Sequence, residues 1–332
     1  MTKTVIDSDI PFLQGVLEPY TAVERVKGSL ISPEHLRDAR ALVIRTRTRC
    51  DASLLEGSGV RIIATATIGT DHIDLEWCRR NGITVCNAAG CNARGVLHWV
   101  AAVLVHLART KGLAPDRCTL GIIGVGHVGE LVRQYARHWG FRTVCCDPPR
   151  QISGESGFVT AREVFERADI VTLHVPLDGS TRHLVDRRML EGLPHRPFII
   201  NSSRGEVVDT LALLESGCRF ALDVWENEPR INLQALQRAE IATPHIAGYS
   251  LQGKANASAM AVQALARHFG WPLRQWHPGQ AGPALAAMPD WNELCSMMAA
   301  RYDIAEESRR LKSHPEDFEA MRNGYHYRCE FF

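Results

Sequence analysis

The stretch Thr119-Leu-Gly-Ile-Ile-Gly-Val-Gly-His-Val-Gly-Glu130 constrains this chain more than any other. An apolar run enters a Gly124-x-Gly126-x-x-Gly129 pattern, with His127 and Val128 inside it, and leaves as helix-forming sequence. Glycine is needed where a strand turns tightly into a helix, where backbone must approach a bound group, and where that helix packs close on the strand. The first helical amides then lack partners, which suits a pyrophosphate. A second apolar run, Arg142-Thr-Val-Cys-Cys-Asp147, ends in an acid about 20 residues further on, where a carboxylate accepts the hydroxyls of an adenosine ribose. Strand, turn, helix, strand and acid together predict a dinucleotide site. The acid favours NAD over NADP, because it repels a 2′-phosphate.

At 332 residues, 45 % hydrophobic and 23 % charged, the chain is long enough for two separate cores. A net charge of +1 offers no argument for nucleic acid or a membrane surface. The ten cysteines are scattered, without a CxxC pair, and read as reduced thiols of a cytoplasmic protein. The longest apolar run, Val96 to Ala108, contains His98 and His106 and is too short to span a bilayer. With no HExxH, no zinc-spaced cysteines and no carboxylate cluster, no metal is expected.

In chain order, strands are expected at residues 3–6, 41–44, 60–65 and 83–86, with a helix opened by Pro11 and a short one at 53–56. Such alternation implies a parallel sheet covered on both faces. A long helix from about Ala93 to Arg109 is apolar on nearly every face, which predicts burial between two domains. Six further strands follow at 118–124, 142–146, 170–175, 198–201, 220–224 and 240–243, enough for a complete dinucleotide domain. A helix then runs to Gly270, and 271–290 reads as a linker. The predicted class is α/β, with two doubly wound parallel-sheet domains. Residues 1–93 with 255–280 form a discontinuous substrate domain, 94–254 the NAD-binding domain, and 281–332 a short C-terminal segment. The aromatic end, Tyr325 to Phe332, suits either a partner surface or a tail folded back on its own domain.

Oxidising a hydroxy acid with a nicotinamide needs a cation for the carboxylate, a base for the hydroxyl proton and a group that tunes the base. Arg204, after the 198–201 strand, supplies a guanidinium that can grip a carboxylate bidentately. His245, in Thr243-Pro-His-Ile-Ala-Gly248, supplies the base. Glu228, in Asp223-Val-Trp-Glu-Asn-Glu-Pro229, is placed to pair with it, while Asp223 ends its own strand near the nicotinamide amide. Arg45, Arg47 and Arg49 alternate along what reads as an extended stretch. That would put them on one face, as a cationic row able to hold a phosphate.

These residues resemble the D-2-hydroxyacid dehydrogenases, in which an Arg, Glu and His triad follows the glycine motif in this order. The likeness is carried by Thr65-Ala-Thr-Ile-Gly-Thr-Asp-His72, Gly90-Cys-Asn-Ala93, Cys146-Asp-Pro-Pro-Arg150, Asp223-Val-Trp-Glu226 and Thr243-Pro-His-Ile-Ala-Gly-Tyr249. It implies catalytic roles for Arg204, Glu228 and His245, with His245 carrying the proton. It implies NAD contacts at Gly124, Gly126, His127, Val128, Gly129, Asp147, Val175, Ser202, Asp223 and Gly248. Substrate contacts would fall at Arg45, Thr46, Thr67 and Tyr249, the substrate being a small phosphorylated hydroxy acid. Leu294–Arg328 resembles the start of the family's dimerisation domain, which implies a homodimer. The chain is about five residues shorter between Asp209 and Asp223 than the family pattern, so a shortened helix is expected there. The triad alone leaves open another 2-hydroxy acid as substrate, or an NAD-sensing module without catalysis.

Overall fold

The computed structural model describes residues 2–279 and 281–332, which fall into two compact units. The first comprises Met1–Asn92 and Ser250–Pro283. Its five strands are β1 (Lys3–Asp7), β2 (Ala22–Val26), β3 (Ala39–Ile44), β4 (Ile62–Thr65) and β5 (Thr84–Cys86), in the order β2-β1-β3-β4-β5. All pairs are parallel. Alternate residues serve opposite faces. Val5, Leu42, Ile44 and Ile63 enter one core, and Ile6, Val43, Ile62 and Ala64 enter another that includes Val262 and Leu265 of helix Leu251–Phe269. That helix is capped by the Ser250 hydroxyl, which accepts from Gly253 N–H, and stops at Gly270 in a left-handed conformation.

Three local expectations fail in this unit. Strand β2 was not anticipated: it lies at the sheet edge with Ala22 and Arg25 exposed, so it has no apolar run to mark it. Pro11 opens no helix. Residues 11–20 form turns, in which Phe12 and Gly15 take φ of 67° and 76°, values a right-handed helix excludes. Nor do Arg45, Arg47 and Arg49 lie along one extended face, because the chain turns there, with Thr48 N–H donating to Arg45 O at 3.3 Å. Arg45 bonds Asp7 at 3.1 Å and Asp9 at 2.8 Å, and Arg49 bonds Asp51 at 2.8 Å. Arg45 and Arg49 are therefore paired with separate carboxylates.

The second unit comprises Ala93–Tyr249 and Ala284–Phe332. Its six parallel strands are β6 (Thr119–Ile123), β7 (Arg142–Cys146), β8 (Ile170–Leu173), β9 (Phe198–Asn201), β10 (Phe220–Leu222) and β11 (Ile241–Ala242). They are ordered β11-β10-β9-β8-β6-β7, and an isolated parallel bridge between Cys145 and Phe158 leaves the trace of one more strand beyond β7. Strand order reverses between β6 and β8, the position at which open α/β sheets bind ligands beyond their carboxyl ends. Helix Ala93–Lys111 runs through this unit's core, with Leu97, Trp99, Val100, Ala101, Val103 and Leu104 buried.

Between Asp209 and Asp223 lies one short helix, Thr210–Ser216. Asp209 caps it and Gly217, at φ 71°, ends it. Strand β10 nevertheless keeps continuous register with β9, from Phe220 opposite Ile199 to Leu222 opposite Asn201. Asp223 follows directly from that strand.

Of the segment 281–332 that the sequence sets apart, Ala284–Phe332 belongs to the second unit. Helix Ile304–Ser313 lies on β11, where the Ser308 hydroxyl accepts from Ala242 N–H at 3.0 Å. Of the two outcomes left open for the aromatic end, the tail folds back: Phe331 and Phe332 are buried, and the Phe332 ring stacks 4.0 Å from that of His98. Burial pushes the His98 imidazole down to about 3, so it sits there neutral. All ten cysteines are free, and no helix among the described residues is long and apolar enough to cross a membrane.

Candidate active site

The glycine turn follows β6. Gly124 has φ 84° and donates its N–H to Cys146 O at 2.9 Å, and a Cβ there would come within 2.6 Å of His174 O. A Cβ at Gly129 would overlap the Gly124 carbonyl oxygen, so helix His127–His138 reaches the strand only because both positions are glycine. A Cβ at Gly126, by contrast, would meet open space, and no side chain caps the helix that starts beside it. Gly126 and His127 are exposed, Val128 is half-buried, and Val175, just past β8, lies against the turn. Open amides on the exposed side and close packing on the other are what a pyrophosphate requires. Ser202, just past β9, carries a buried hydroxyl with no hydrogen-bond partner in the described structure, a polar atom available to a bound group.

Asp147 directly follows β7 and is buried. One of its oxygens accepts from Val125 N–H at 2.7 Å, inside the glycine turn, and the other from Arg150 N–H at 3.0 Å. Each oxygen retains a lone pair for a ribose hydroxyl. Arg150 is the cation beside this acid, and it is committed elsewhere. It donates to Val125 O at 2.7 Å, to Glu130 at 2.9 Å and to both oxygens of Glu155. Its charge is therefore balanced by two carboxylates. The residues fit NAD.

The other end of the site is built on β9, β10 and β11, neighbours in the sheet whose carboxyl ends lie at one edge. At the end of β9, the Asn201 side chain accepts from Ser203 N–H at 3.0 Å and donates to Arg204 O at 2.9 Å, pinning the loop that presents Arg204. Arg204 is half-buried and donates to Ser203 O at 2.8 Å. A Cβ at Gly205 would overlap the backbone of Trp225, so this loop lies directly on the one that follows β10.

Asp223 is the hub of that second loop. It is 1 % exposed, and its carboxylate accepts from Thr243 Oγ1 at 2.6 Å, Ile246 N–H at 2.8 Å and Ala247 N–H at 2.9 Å. Burial raises its carboxyl above the usual range, opposed by the charge of His245 and by these hydrogen bonds. The Thr243 hydroxyl in turn accepts from Trp99 Nε1 at 2.9 Å, and Trp225 Nε1 donates to Thr243 O at 3.0 Å. Two indoles and a threonine thereby fix Asp223 to the loop that carries His245.

His245 adopts φ 58°, a left-handed conformation uncommon for a residue with a side chain, and its N–H bonds Asp223 O at 2.7 Å. Its Nδ1 lies 2.8 Å from Glu228 Oε2, while Glu228 Oε1 accepts from Trp225 N–H at 3.0 Å. Burial pushes the Glu228 carboxyl up, but the hydrogen bond and charge of His245, with the charge of Arg322, more than offset it and hold it low. The pair therefore consists of an ionised carboxylate on the inner ring nitrogen, leaving Nε2 to exchange a proton. Gly248 and Tyr249 close the same loop, with Tyr249 N–H on Ile246 O at 2.8 Å.

The family model described as "D-isomer specific 2-hydroxyacid dehydrogenase, NAD binding domain" matches residues 98–247. The chain is 43 % identical over 340 residues to an erythronate-4-phosphate dehydrogenase of Bacteroides fragilis, covering 99 % of this chain and 97 % of that one. The chain belongs to the D-isomer-specific 2-hydroxyacid dehydrogenase family. It is an NAD-dependent oxidoreductase. Erythronate-4-phosphate dehydrogenase of Porphyromonas gingivalis is 37 % identical over 340 residues, 97 % of this chain and 92 % of that one. Among solved structures, NAD-bound 3-phosphoglycerate dehydrogenase of Entamoeba histolytica matches with a TM-score of 0.69 at 25 % identity, covering 84 % of this chain and 99 % of that one.

Within this family member, Glu228, His245 and Asp223 are joined by direct bonds, and Arg204 is presented by the adjoining loop. In the first unit, Arg45 is held by Asp7 and Asp9, Thr46 is exposed, and Thr67 donates to Gly69 O at 3.0 Å and bonds Thr65 Oγ1 at 2.6 Å. No sequence motif points to Trp99, Arg322 or Arg328, and Thr243 stands in the His245 motif without a role of its own. Arg328 donates to Ile246 O at 3.0 Å, to Ala247 O and to Gly95 O at 2.9 Å, so it braces the His245 loop from 82 residues away. No local pattern marks a contact of that separation.

Proposed function

We propose that this dehydrogenase oxidises 4-phospho-D-erythronate to 2-oxo-3-hydroxy-4-phosphobutanoate, a step of pyridoxal 5′-phosphate formation. The observation that carries the chemistry is the Glu228–His245 pair at 2.8 Å, which fixes the ring so that Nε2 is left for the hydroxyl proton. Relatives named erythronate-4-phosphate dehydrogenase, at 37–43 % identity over nearly the whole chain, support the substrate.

NAD supplies the hydride acceptor when bound, held by the Gly124–Gly129 turn with His127 and Val128, and by Asp147, Val175, Ser202, Asp223 and Gly248. Arg204 grips the substrate carboxylate and polarises the carbonyl that forms at C2. His245 takes the hydroxyl proton as the C2 hydrogen leaves with its electron pair, and Glu228 stabilises the resulting imidazolium. Arg45, Thr46, Thr67 and Tyr249 contact the phosphorylated substrate. Residues 1–93 with 255–280 bind substrate, 94–254 bind NAD, and 281–332 support a homodimer of a cytoplasmic enzyme.

The test follows NADH with purified protein, 4-phospho-D-erythronate and a panel of unphosphorylated 2-hydroxy acids, a 2-oxo acid being added to re-oxidise tightly held cofactor. Turnover confined to unphosphorylated acids overturns the substrate. Light scattering on the eluting protein reads the dimer.

A further inference from the structure

We infer that Arg322, on the C-terminal segment, is a positioning residue of this reaction: it shares the Glu228 oxygen that binds His245 and so limits how firmly the pair retains its proton. Arg322 Nη1 lies 3.5 Å from Glu228 Oε2, the atom that His245 Nδ1 meets at 2.8 Å. Its Nε lies 3.4 Å from the hydroxyl of Tyr249, four residues past His245. The Tyr249 ring is in turn 6.1 Å from those of Tyr325 and Tyr327. One guanidinium therefore touches both the carboxylate partner of the ring and the far end of the ring's own loop. The site is sheltered, with the Arg322 side chain 28 % exposed and that of Glu228 17 %, so the charge is only partly screened.

A sheltered carboxylate alone beside an imidazole stabilises the imidazolium, and a proton carrier bound too tightly to its proton cannot accept another. A cation on the same oxygen spreads the carboxylate's charge and repels the imidazolium. Other groups face the pair. Asp223 lies beneath His245 and attracts the protonated ring. Glu307, sheltered by the Tyr302 and Tyr325 hydroxyls, acts on Asp223, and Arg328 stands between that cluster and the His245 loop. Arg204 adds a cation from the loop after β9. Among these, Arg322 is the cation placed on Glu228 itself. The low position of the Glu228 carboxyl, to which both His245 and Arg322 contribute, agrees with this arrangement.

The inference rests on His245 as the proton carrier, so two readouts are taken on Arg322→Gln and Arg322→Lys. One is the pH dependence of kcat/KM for oxidation. The other is the imidazole titration of His245 by NMR, assigned with His245→Asn. In Arg322→Gln, both the acidic limb and the ring titration should move upward by on the order of half to one pH unit. Activity below the limb should then fall about three- to tenfold. Arg322→Lys, which keeps the cation, should stay nearer the wild type. Unmoved midpoints in Arg322→Gln, or equal movement in both variants, overturn the inference, as does a raised KM with the limb unchanged, which would make Arg322 a substrate contact. If the wild type oxidises no hydroxy acid, the proposed function fails while the NMR titration still decides this point.

Discussion

Replacing Thr243 by valine is isosteric and removes only a hydroxyl, yet that hydroxyl is shared by two buried partners. It donates to Asp223 at 2.6 Å and accepts from Trp99 Nε1 at 2.9 Å. Loss of a hydrogen bond to a charged group costs about 1.5–3 kcal/mol, and a buried indole N–H left without an acceptor about 1–3 kcal/mol more. The two overlap in one network, so about 3–5 kcal/mol is the expected total. Thr243→Ser keeps the hydroxyl and gives up a methyl, at about 1 kcal/mol. The contrast between the variants isolates the hydroxyl and amounts to about 2–4 kcal/mol. The deficit also has a pH sign. Asp223 is already raised by burial and Thr243 opposes the rise, so the valine variant raises it further. A carboxyl raised in the folded state withdraws stability as pH climbs through its titration, so the deficit should grow with pH. Urea unfolding followed by circular dichroism, with both variants at several pH values, measures this. Valine and serine variants equal within 1 kcal/mol would refute the network argument.

Three further outcomes follow from the site. Glu228→Gln keeps the shape beside His245 but removes the charge that favours the imidazolium, so kcat for oxidation should fall by roughly 10²-fold or more, with NAD affinity by calorimetry unchanged. Asp147→Asn should weaken NAD about tenfold, through loss of a charge-assisted ribose hydrogen bond, and narrow the preference over NADP; an unaltered NAD:NADP ratio of kcat/KM would deny Asp147 that role. Glu130 is raised by burial but lowered more strongly by hydrogen bonds from Arg133, Arg150 and Gln134, reaching about 2 from 4.5. A depressed carboxylate contributes its stability above the unfolded value and loses it as pH falls, so the stability gap between wild type and Glu130→Gln should close between about pH 4.5 and 2.

The strands of the second unit were readable because each is a short apolar run bounded by polar or glycine residues, and a parallel strand buried on both faces has no other way to look. The glycine turn was readable for a different reason: its geometry admits no Cβ at 124 or 129. Strand β2 was not, since its pairing comes from the backbone of β1 and its side chains are half in water. The turn at 45–49 was missed because alternating arginines look alike whether the chain is straight or bent. The triad could be named from its neighbours in sequence, but the groups that hold it could not. Trp99 meets Thr243 across 144 residues and Arg328 meets Gly95 across 233, distances over which no spacing rule operates.

The double tether of Arg150 bears on redesign of cofactor use. A protein that has merely lost its ribose acid is indifferent to a 2′-phosphate; one that welcomes it must also offer a cation. Here Arg150 is tied to Glu130 and Glu155 and held by the Val125 carbonyl. Exchanging Asp147 alone should therefore yield a permissive enzyme, and a reversal of preference should require Glu155 to be removed as well, so that the arginine can swing toward the added phosphate. On that expectation the preference for NAD has two sources, an acid that repels the phosphate and a cation already paired with two carboxylates.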